Sequence, residues 1–304
     1  MAPLSGDRSV TGLGCILTSK RIGTPTDALK EHTMSPTEPT TGPAGAAAMA
    51  TPTARHVTAE QHRLPLSILL HLLPGAVLTG FIVLAAPAVR ALGFPTVFAL
   101  FAGIPLVIVP IELGILLGHA KRTTGTFSLR STVVYRERLP ARRLVPLTVG
   151  LFAWFALFLV LATAVLDEWI AERFFSWIPD AILQFSMVQE AGESAPTYAL
   201  VILVIVAFAF NGVVGPVTEE LYFRGYLLPR IDRLGRWAPV VNTVLFSVYH
   251  FWTPWQNLTR IVGLLPMTWL AWRKRSTQLA IATHVTINLV FLLGLIALVL
   301  GGQA

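Results

Sequence analysis

The stretch TYALVILVIVAFAFNGVVGPVTEELYFRG, residues 197–225, decides the fold class of this chain. The run from Thr197 to Val217 carries no charge and is long enough for an α-helix to cross a bilayer, which takes about 20 apolar residues. Two adjacent glutamates, Glu219 and Glu220, come after Thr218, and Arg224 follows four residues later. The helix either ends at these charges or carries them into the membrane.

Composition extends the membrane interpretation to the whole chain. Of 304 residues, 54% are hydrophobic and only 13% are charged, and the mean hydropathy is +0.66. A soluble domain carries about 25% charged residues, so most of this chain cannot face water. We therefore predict an all-α fold, a polytopic transmembrane helical bundle. The single cysteine, Cys15, excludes an intramolecular disulfide and a cysteine-rich metal site.

Seven apolar windows predict seven membrane crossings. The windows are 64–89, 91–120, 144–166, 194–218, 237–259, 261–272 extended toward Asn257, and 276–304. A further apolar segment, 174–189, is short and broken by Pro179, so we expect an interfacial or re-entrant helix there. If that segment crosses the membrane, the count becomes eight.

Charge in the loops predicts the orientation. Loop 121–143 holds seven basic residues against Glu137 alone, whereas connection 167–193 holds six acids against Arg173 alone. Because basic loops stay in the cytoplasm, the N-terminus should be cytoplasmic and the C-terminus outside, in the plasma membrane of a bacterium. The same pattern explains the net charge of +7, so no nucleic-acid partner is predicted.

Ionisable side chains inside a bilayer are costly and therefore mark functional candidates. Glu220 and Arg224 are spaced i,i+4 and can pair on one helix face, while Glu219 points about 100° away. Taken alone, these charges also fit a helix end that meets water. If the helix instead runs on to Leu228, before Pro229, Glu219 lies about 15 Å from its cytoplasmic end at 1.5 Å per residue.

Two further clusters lie on the next helices. In LFSVYHFW, Phe246 and His250 are four residues apart, and His250 lies about 18 Å into its helix. In ATHVTINLV, His284 and Asn288 share a face, and His284 lies about 12 Å deep. Alone, each fits a packed histidine or an interhelical hydrogen-bonding patch. Together with Glu219 they converge on one layer of the membrane.

The chemistry of these clusters fits amide hydrolysis. A carboxylate and a histidine form a general-base pair that can activate water. A second histidine and an asparagine amide can donate hydrogen bonds to a developing oxyanion.

The motifs EELYFR, FSVYH and HVTIN resemble EExxxR, FxxxH and HxxxN of the CAAX-processing and bacteriocin-processing (CPBP, formerly Abi) intramembrane protease family, which includes the Ras-converting CAAX endopeptidase. The resemblance covers roughly residues 197–300. It implies that Glu219 and His250 activate the attacking water and that His284 and Asn288 form the oxyanion hole. It also implies a structural or orienting role for Glu220 and Arg224, with Phe246 in support.

The resemblance leaves the use of a metal open, because the family has been described both as metalloprotease-like and as a metal-independent glutamate type. The zinc signature HExxH is absent from the sequence, so we predict no cofactor. In the alternative, zinc would be bound by Glu219, His250 and His284. A further intramembrane carboxylate, Glu112, either lines the cavity or pairs with a polar neighbour such as His71 or His119.

These inferences divide the chain into three regions. Residues 1–63, rich in Thr, Pro, Ala, Gly and Ser, are predicted to form a disordered cytoplasmic leader. Residues 64–143 supply accessory transmembrane helices and a basic loop, and residues 144–304 form the catalytic transmembrane core, with the motifs inside 197–300.

The predicted function is an intramembrane endopeptidase. Its partners would be the lipid bilayer and a membrane-associated protein or peptide substrate, with lipidated substrates among the candidates. The alternative is a non-proteolytic membrane scaffold or a bacteriocin self-immunity factor. A proton-coupled transporter is a weaker alternative, since no inverted repeat is evident. Substrate identity and oligomeric state do not follow from the sequence.

Overall fold

The structure is a computed structural model, and it describes residues 59–178 and 195–301. Within these ranges the fold is helical throughout, and the only β-pairing is a single bridge between Arg136 and Ser276. The predicted all-α class is confirmed. The predicted leader, up to residue 58, and most of the segment 174–189 lie outside the described residues.

The α-helices of the described ranges are, in chain order, α1 Leu64–Ala91, α2 Val97–Thr124, α3 Leu129–Thr132, α4 Ala141–Ala162, α5 Glu168–Phe174, α6 Thr197–Val206, α7 Gly215–Glu220, α8 Ala238–Tyr249, α9 Asn257–Lys274 and α10 Thr277–Gly301. Segments with wider π turns cover Ile104–Ile108, Thr163–Asp167, Ala207–Val214 and Leu221–Leu227. A 3₁₀ segment covers Leu228–Trp237. The helix after α4 thus runs on to Phe174, into the connection predicted to begin at residue 167.

Five helical stretches of the described chain are long and apolar enough to cross a membrane. They are Leu64–Ala91, Val97–Thr124, Ala141–Ala162, Thr197–Tyr249 and Thr277–Gly294. The count of seven or eight crossings is not confirmed. The predicted windows 194–218 and 237–259 fall largely within the single stretch Thr197–Tyr249, and α9 is not among the five.

The stretch Thr197–Tyr249 is not one straight helix. Phe223 and Phe246 would lie about 35 Å apart along a continuous α-helix, at 1.5 Å per residue. Their ring centroids are 4.8 Å apart. The chain reverses near Gly235, whose φ of 55° lies in the left-handed region that glycine adopts without a steric penalty. The stretch therefore forms two arms that pack against each other.

The helix continues through the two adjacent glutamates. α7 ends at Glu220, but helical geometry with wider turns goes on to Leu227 before the 3₁₀ segment begins at Leu228. The expectation that the helix continues beyond Glu219 and Glu220 is confirmed. Gly212 lies in the π segment before α7, and Gly215 and Pro216 begin α7. These residues weaken the regular hydrogen-bond ladder.

α8 is short, and this determines where its last residues lie. Its 12 residues span about 18 Å, whereas the hydrocarbon core of a bilayer is about 30 Å thick. After a turn at residues 250–256, α9 packs back along α8. If α8 enters the membrane at Ala238, next to the basic Arg236, this turn and His250 lie within the membrane.

α1 supports the end of α8 by a close backbone approach. A Cβ atom added to Gly75 would lie 1.9 Å from the carbonyl oxygen of Tyr249. Asn242 of α8 donates a hydrogen bond from Nδ2 to the carbonyl oxygen of Phe223, at 3.1 Å. α8 is thus held by α1 at its end, next to His250, and by the Phe223 carbonyl in its first half. At the start of the described chain, His62 N donates to the carbonyl oxygen of Arg230 at 2.8 Å.

Candidate active site

Glu220 and Arg224 form a closed ion pair. Nη1 of Arg224 lies 2.9 Å from Oε1 of Glu220, and both side chains are fully buried. Nη2 of Arg224 also donates to Oγ1 of Thr268 on α9, at 3.2 Å. This is the i,i+4 pair expected from the sequence. Neither side chain reaches the surface. The contacts of Arg224 with Glu220 and Thr268 join the arm that carries α7 to α9.

Glu219 lies in a different environment from its neighbour. Its side chain is 12% exposed, and its Oε1 accepts a hydrogen bond of 3.0 Å from the hydroxyl of Tyr249. Its Oε2 lies 3.8 Å from Nε2 of His284. Among the described residues, Oε2 of Glu219 therefore has no donor at hydrogen-bond distance, although Tyr249 and His284 lie beside the carboxylate.

His284 lies between the two glutamates. Its Nδ1 is 2.9 Å from Oε1 of Glu220, so the ring donates a hydrogen bond from Nδ1 to that carboxylate. Its Nε2 faces Glu219. The structure thus brings His284 to both carboxylates, which the sequence interpretation did not anticipate.

His250 is oriented by the backbone of its own helix. Its Nδ1 donates to the carbonyl oxygen of Phe246 at 2.9 Å. This bond places the ring proton on Nδ1 and leaves Nε2 as an acceptor in the neutral ring. The family resemblance implies that Glu219 and His250 act together on one water molecule. Among the described residues, the carboxylate makes its hydrogen bond with Tyr249 instead, and no bond joins it to His250.

Phe246 is packed among the polar groups. The guanidinium of Arg224 lies 4.1 Å from its ring centroid, a distance suited to a cation–π contact. The rings of His250 and His284 meet it edge-on, with centroids 4.9 Å and 6.0 Å away. Phe246 therefore contacts the Arg224 guanidinium and both histidine rings.

Asn288 connects the last helix to the wide turns before α7. Its Nδ2 donates to the backbone carbonyl of Asn211 at 2.8 Å. An amide nitrogen carries two hydrogens, so one remains for another acceptor. The unusual turns at Ala207–Val214 expose the carbonyl that holds Asn288 in place.

The predicted catalytic side chains share one cavity of about 310 Å³. Glu219, His250, His284 and Asn288 all line it. Phe246 also lines it, whereas the buried pair Glu220 and Arg224 stands behind its wall. Much of the remaining wall is apolar and comes from α1, α2, α4 and α10, with Leu78, Phe101, Phe155 and Phe291 among its residues.

Glu112 does not take the first of its two predicted placements, in the cavity wall. It is fully buried and does not line the cavity. His71 bonds to Ser67 and Asn242, and His119 contacts Arg230, so neither histidine pairs with it. Within the described ranges its two carboxylate oxygens have no partner at ideal hydrogen-bond geometry, but the hydroxyl of Tyr249 lies beside them and Glu219 is within electrostatic reach.

The side chains do not form a metal-binding arrangement. Within the described ranges, no group of three His, Cys, Asp or Glu side chains is placed to hold a metal ion. Of the alternative zinc ligands, His284 has its Nδ1 engaged by Glu220, and its Nε2 is 3.8 Å from Glu219. Zinc needs ligand atoms at about 2.0–2.3 Å in a tetrahedral array, so these residues as placed do not fit it.

The sequence interpretation did not assign three residues to the site. Tyr249 holds Glu219, the Asn211 backbone holds Asn288, and Arg260 lines the cavity. Arg260 gave a signal in the sequence, since a charge within an apolar window is a functional candidate. Tyr249 and Asn211 gave none, because their contacts depend on how the helices pack.

The apolar helices and a polar cluster enclosed among them define a polytopic integral membrane protein with a candidate hydrolytic site. Residues 199–290 match the family described as type II CAAX prenyl endopeptidase Rce1-like. The matched segment contains every motif residue from Glu219 to Asn288, and its family agrees with the resemblance of these motifs to CAAX proteases. No curated protein and no solved structure gives a match.

Proposed function

We propose that this protein is an intramembrane endopeptidase that cuts membrane-associated proteins or peptides, lipidated ones among them. One observation carries the proposal: Glu219, His250, His284 and Asn288 come from three separate helical arms and line one cavity. The family to which residues 199–290 belong is a protease family, which supports the same reaction class.

In the proposed reaction, Glu219 and His250 activate a water molecule. Glu219 takes a proton from the water, and the oxygen attacks the peptide carbonyl carbon. His250 accepts a hydrogen bond from that water through Nε2, since its Nδ1 is held by the Phe246 carbonyl. When the C–N bond breaks, the proton passes to the leaving nitrogen.

His284 and Asn288 stabilise the negative charge on the carbonyl oxygen. Asn288 has one amide hydrogen left after its bond to the Asn211 carbonyl. His284 donates from Nδ1 to Glu220, so a second bond from Nε2 requires the doubly protonated ring. Before the attack, the positive charges of this ring and Arg224 balance the carboxylates Glu219 and Glu220. Once Glu219 has taken the proton, they balance Glu220 and the oxyanion.

The location and topology of this enzyme are part of the proposal. Each of the seven predicted windows overlaps a helical segment of the described chain, with α9 as the sixth and α10 as the seventh. We place the N-terminus in the cytoplasm and the C-terminus outside, in a bacterial plasma membrane, because this puts the basic loops inside. The apolar cavity wall suits a substrate that reaches the site from the bilayer.

The test compares purified variants and cells. Glu219→Gln and His250→Ala should each lower kcat by about 10²- to 10⁴-fold, the usual contribution of general acid–base catalysis. Glu137→Gln, in the basic loop, is the matched carboxylate control and should keep full activity. In a strain that carries Glu219→Gln, an uncleaved precursor should accumulate in the membrane proteome. Full activity of Glu219→Gln would refute the proposal, and an unchanged phenotype would favour the scaffold alternative.

A further inference from the structure

Arg260 places a positive charge in the wall of the same cavity. It lies in the first turn of α9, which begins at Asn257, and it lines the cavity together with Glu219 and His250. It is held toward the turn that follows α8, since Nη2 donates to Oγ1 of Thr253 at 2.8 Å. The proposed mechanism makes no use of this cation.

The hydrogen bonds of Arg260 all go to neutral oxygens. Besides Thr253, Nη2 bonds to Oε1 of Gln256 at 3.1 Å. Nη1 makes two long contacts of 3.4 Å, to the Ser247 carbonyl and to Oδ1 of Asn257. Within the described ranges, no carboxylate forms an ion pair with Arg260. The guanidinium is therefore positioned without being neutralised at contact distance.

Arg224 shows the contrasting arrangement. Its guanidinium is fully buried and contacts the carboxylate of Glu220 at 2.9 Å. Among the carboxylates of the described residues, Asp167 and Glu219 lie within electrostatic reach of Arg260. Asp167 accepts a hydrogen bond from the hydroxyl of Thr259, the residue before Arg260. The charge of Arg224 is thus neutralised by Glu220 inside the protein, whereas the charge of Arg260 is accessible to a group that enters the cavity.

The surroundings of Arg260 favour an anion. A charge in a medium of low dielectric constant costs free energy unless an opposite charge is close. The N-terminal end of α9 adds a partial positive charge at the same place. A planar carboxylate matches the guanidinium fork and can accept two parallel hydrogen bonds.

We propose that Arg260 forms an anion subsite of the cavity and binds a carboxylate of the peptide whose scissile bond lies at Glu219 and His250. The identity of the occupant as a peptide rests on the proposed function. The carboxylate has two possible sources, the end of the chain and an acidic side chain. In either case Arg260 sets which peptides are held in register with the catalytic groups.

Binding without cleavage tests the subsite. The Glu219→Gln protein is placed in phosphatidylcholine nanodiscs, and Kd is measured by fluorescence anisotropy. The probes are three versions of one labelled farnesylated peptide: a free C-terminus, a C-terminal amide, and a C-terminal amide with one internal glutamate. The version with the correct carboxylate should bind about tenfold more tightly than the plain amide, as one charge-assisted hydrogen bond provides.

Added substitutions at Arg260 should remove this preference. Arg260→Met should bring the Kd of the carboxylate probe to that of the amide, and Arg260→Lys should keep part of the difference. Arg275→Met is the matched control, because Arg275 is 41% exposed and does not line the cavity. If Arg260→Met also fails to bind the amide probe, the substitution has disturbed the fold. The Kd values of Arg260→Lys for the carboxylate and amide probes then decide whether the preference depends on the charge at position 260.

Two outcomes would overturn the inference. One is equal affinity of all three probes for the Glu219→Gln protein. The other is loss of the preference when anionic phosphatidylglycerol replaces phosphatidylcholine, since the subsite would then take a lipid phosphate. Because no cleavage is measured, a carboxylate preference that depends on Arg260 would stand even if the protein proved not to be a protease.

Discussion

Nδ1 of His284 lies 2.9 Å from Oε1 of Glu220, the oxygen that also accepts the hydrogen bond from Nη1 of Arg224. One carboxylate oxygen thus joins α10 to the arm that carries α7. Its neighbour Glu219 accepts one hydrogen bond, from Tyr249 of α8, and lies at the cavity. The adjacent glutamates therefore differ in their surroundings: Glu220 joins helices through a buried ion pair, and Glu219 lines the cavity, where we propose that it acts as the base.

The two glutamates should respond differently to removal. Glu220→Ala leaves Arg224 buried without its counter-ion, so the free energy of unfolding should fall by about 3–5 kcal/mol, as when one partner of a buried ion pair is lost. Glu219→Ala should abolish cleavage and change the thermal unfolding midpoint little. The measurements are thermal unfolding in detergent and the rate of peptide cleavage.

A double variant is the control for this assignment. Replacing both partners, with Glu220→Ala and Arg224→Met, removes the unpaired charge and should recover part of the lost stability. A Glu220→Ala protein that is as stable as the wild type would contradict the structural role. Glu220→Ala protein that stays folded and inactive would point to a direct role in the reaction.

Tyr249 should position Glu219 without taking part in the bond cleavage. Tyr249→Phe removes only the hydroxyl that donates to Oε1 of Glu219 at 3.0 Å. Because a hydrogen bond to a charged group contributes about 1.5–3 kcal/mol, kcat should fall by roughly tenfold or more, with KM unchanged. Tyr198→Phe, at a site 56% exposed, is the control and should leave both constants unchanged. An equal rise in KM would instead indicate a role in substrate binding.

The pattern of charges in the sequence predicts part of this site for a physical reason. The i,i+4 spacing of Glu220 and Arg224 fixes a contact within one helix, whatever the helix packs against. The depths of His250 and His284 follow from the rise per residue, so their convergence with Glu219 on one layer can also be calculated. Contacts of this kind depend on local geometry alone.

Contacts between helices could not be predicted in the same way. The bond from Tyr249 to Glu219 depends on the rotation of α8, and that rotation depends on the approach of α1 at Gly75. The placement of His284 at Glu220 depends on the register of α10 against α7. One sequence spacing is compatible with many such packings, so the partner of each buried group appears only in the fold.

Removal of metal ions should leave the activity intact. The Nδ1 atom of His284 is engaged by Glu220, and the nearby side chains do not provide three ligands at zinc distances. We expect cleavage to persist after prolonged dialysis against a chelator, and metal analysis of the purified protein to find less than stoichiometric zinc. Activity that is lost with the chelator and restored by zinc alone would require a rearranged site with Glu219, His250 and His284 as ligands.

Gly75 and Gly80 of α1 provide a matched test of how the site is supported. A Cβ atom at position 75 would lie 1.9 Å from the backbone oxygen of Tyr249, and a backbone atom cannot move aside as a flexible side chain can. Gly75→Ala should therefore push α1 away from the end of α8. Such overpacking costs typically about 1–3 kcal/mol, and here it should also lower kcat because His250 follows Tyr249 directly.

Gly80→Ala places the same methyl group on the same helix, where no atom lies within 4 Å. It should be neutral or stabilising by up to about 1 kcal/mol, because alanine has the higher helix propensity. Thermal unfolding and cleavage rates of the two variants provide the comparison. If Gly75→Ala matched Gly80→Ala in both, the contact between α1 and Tyr249 would not be what positions His250. A loss of both stability and kcat confined to Gly75→Ala would show that a helix outside the matched family segment holds the catalytic histidine in place.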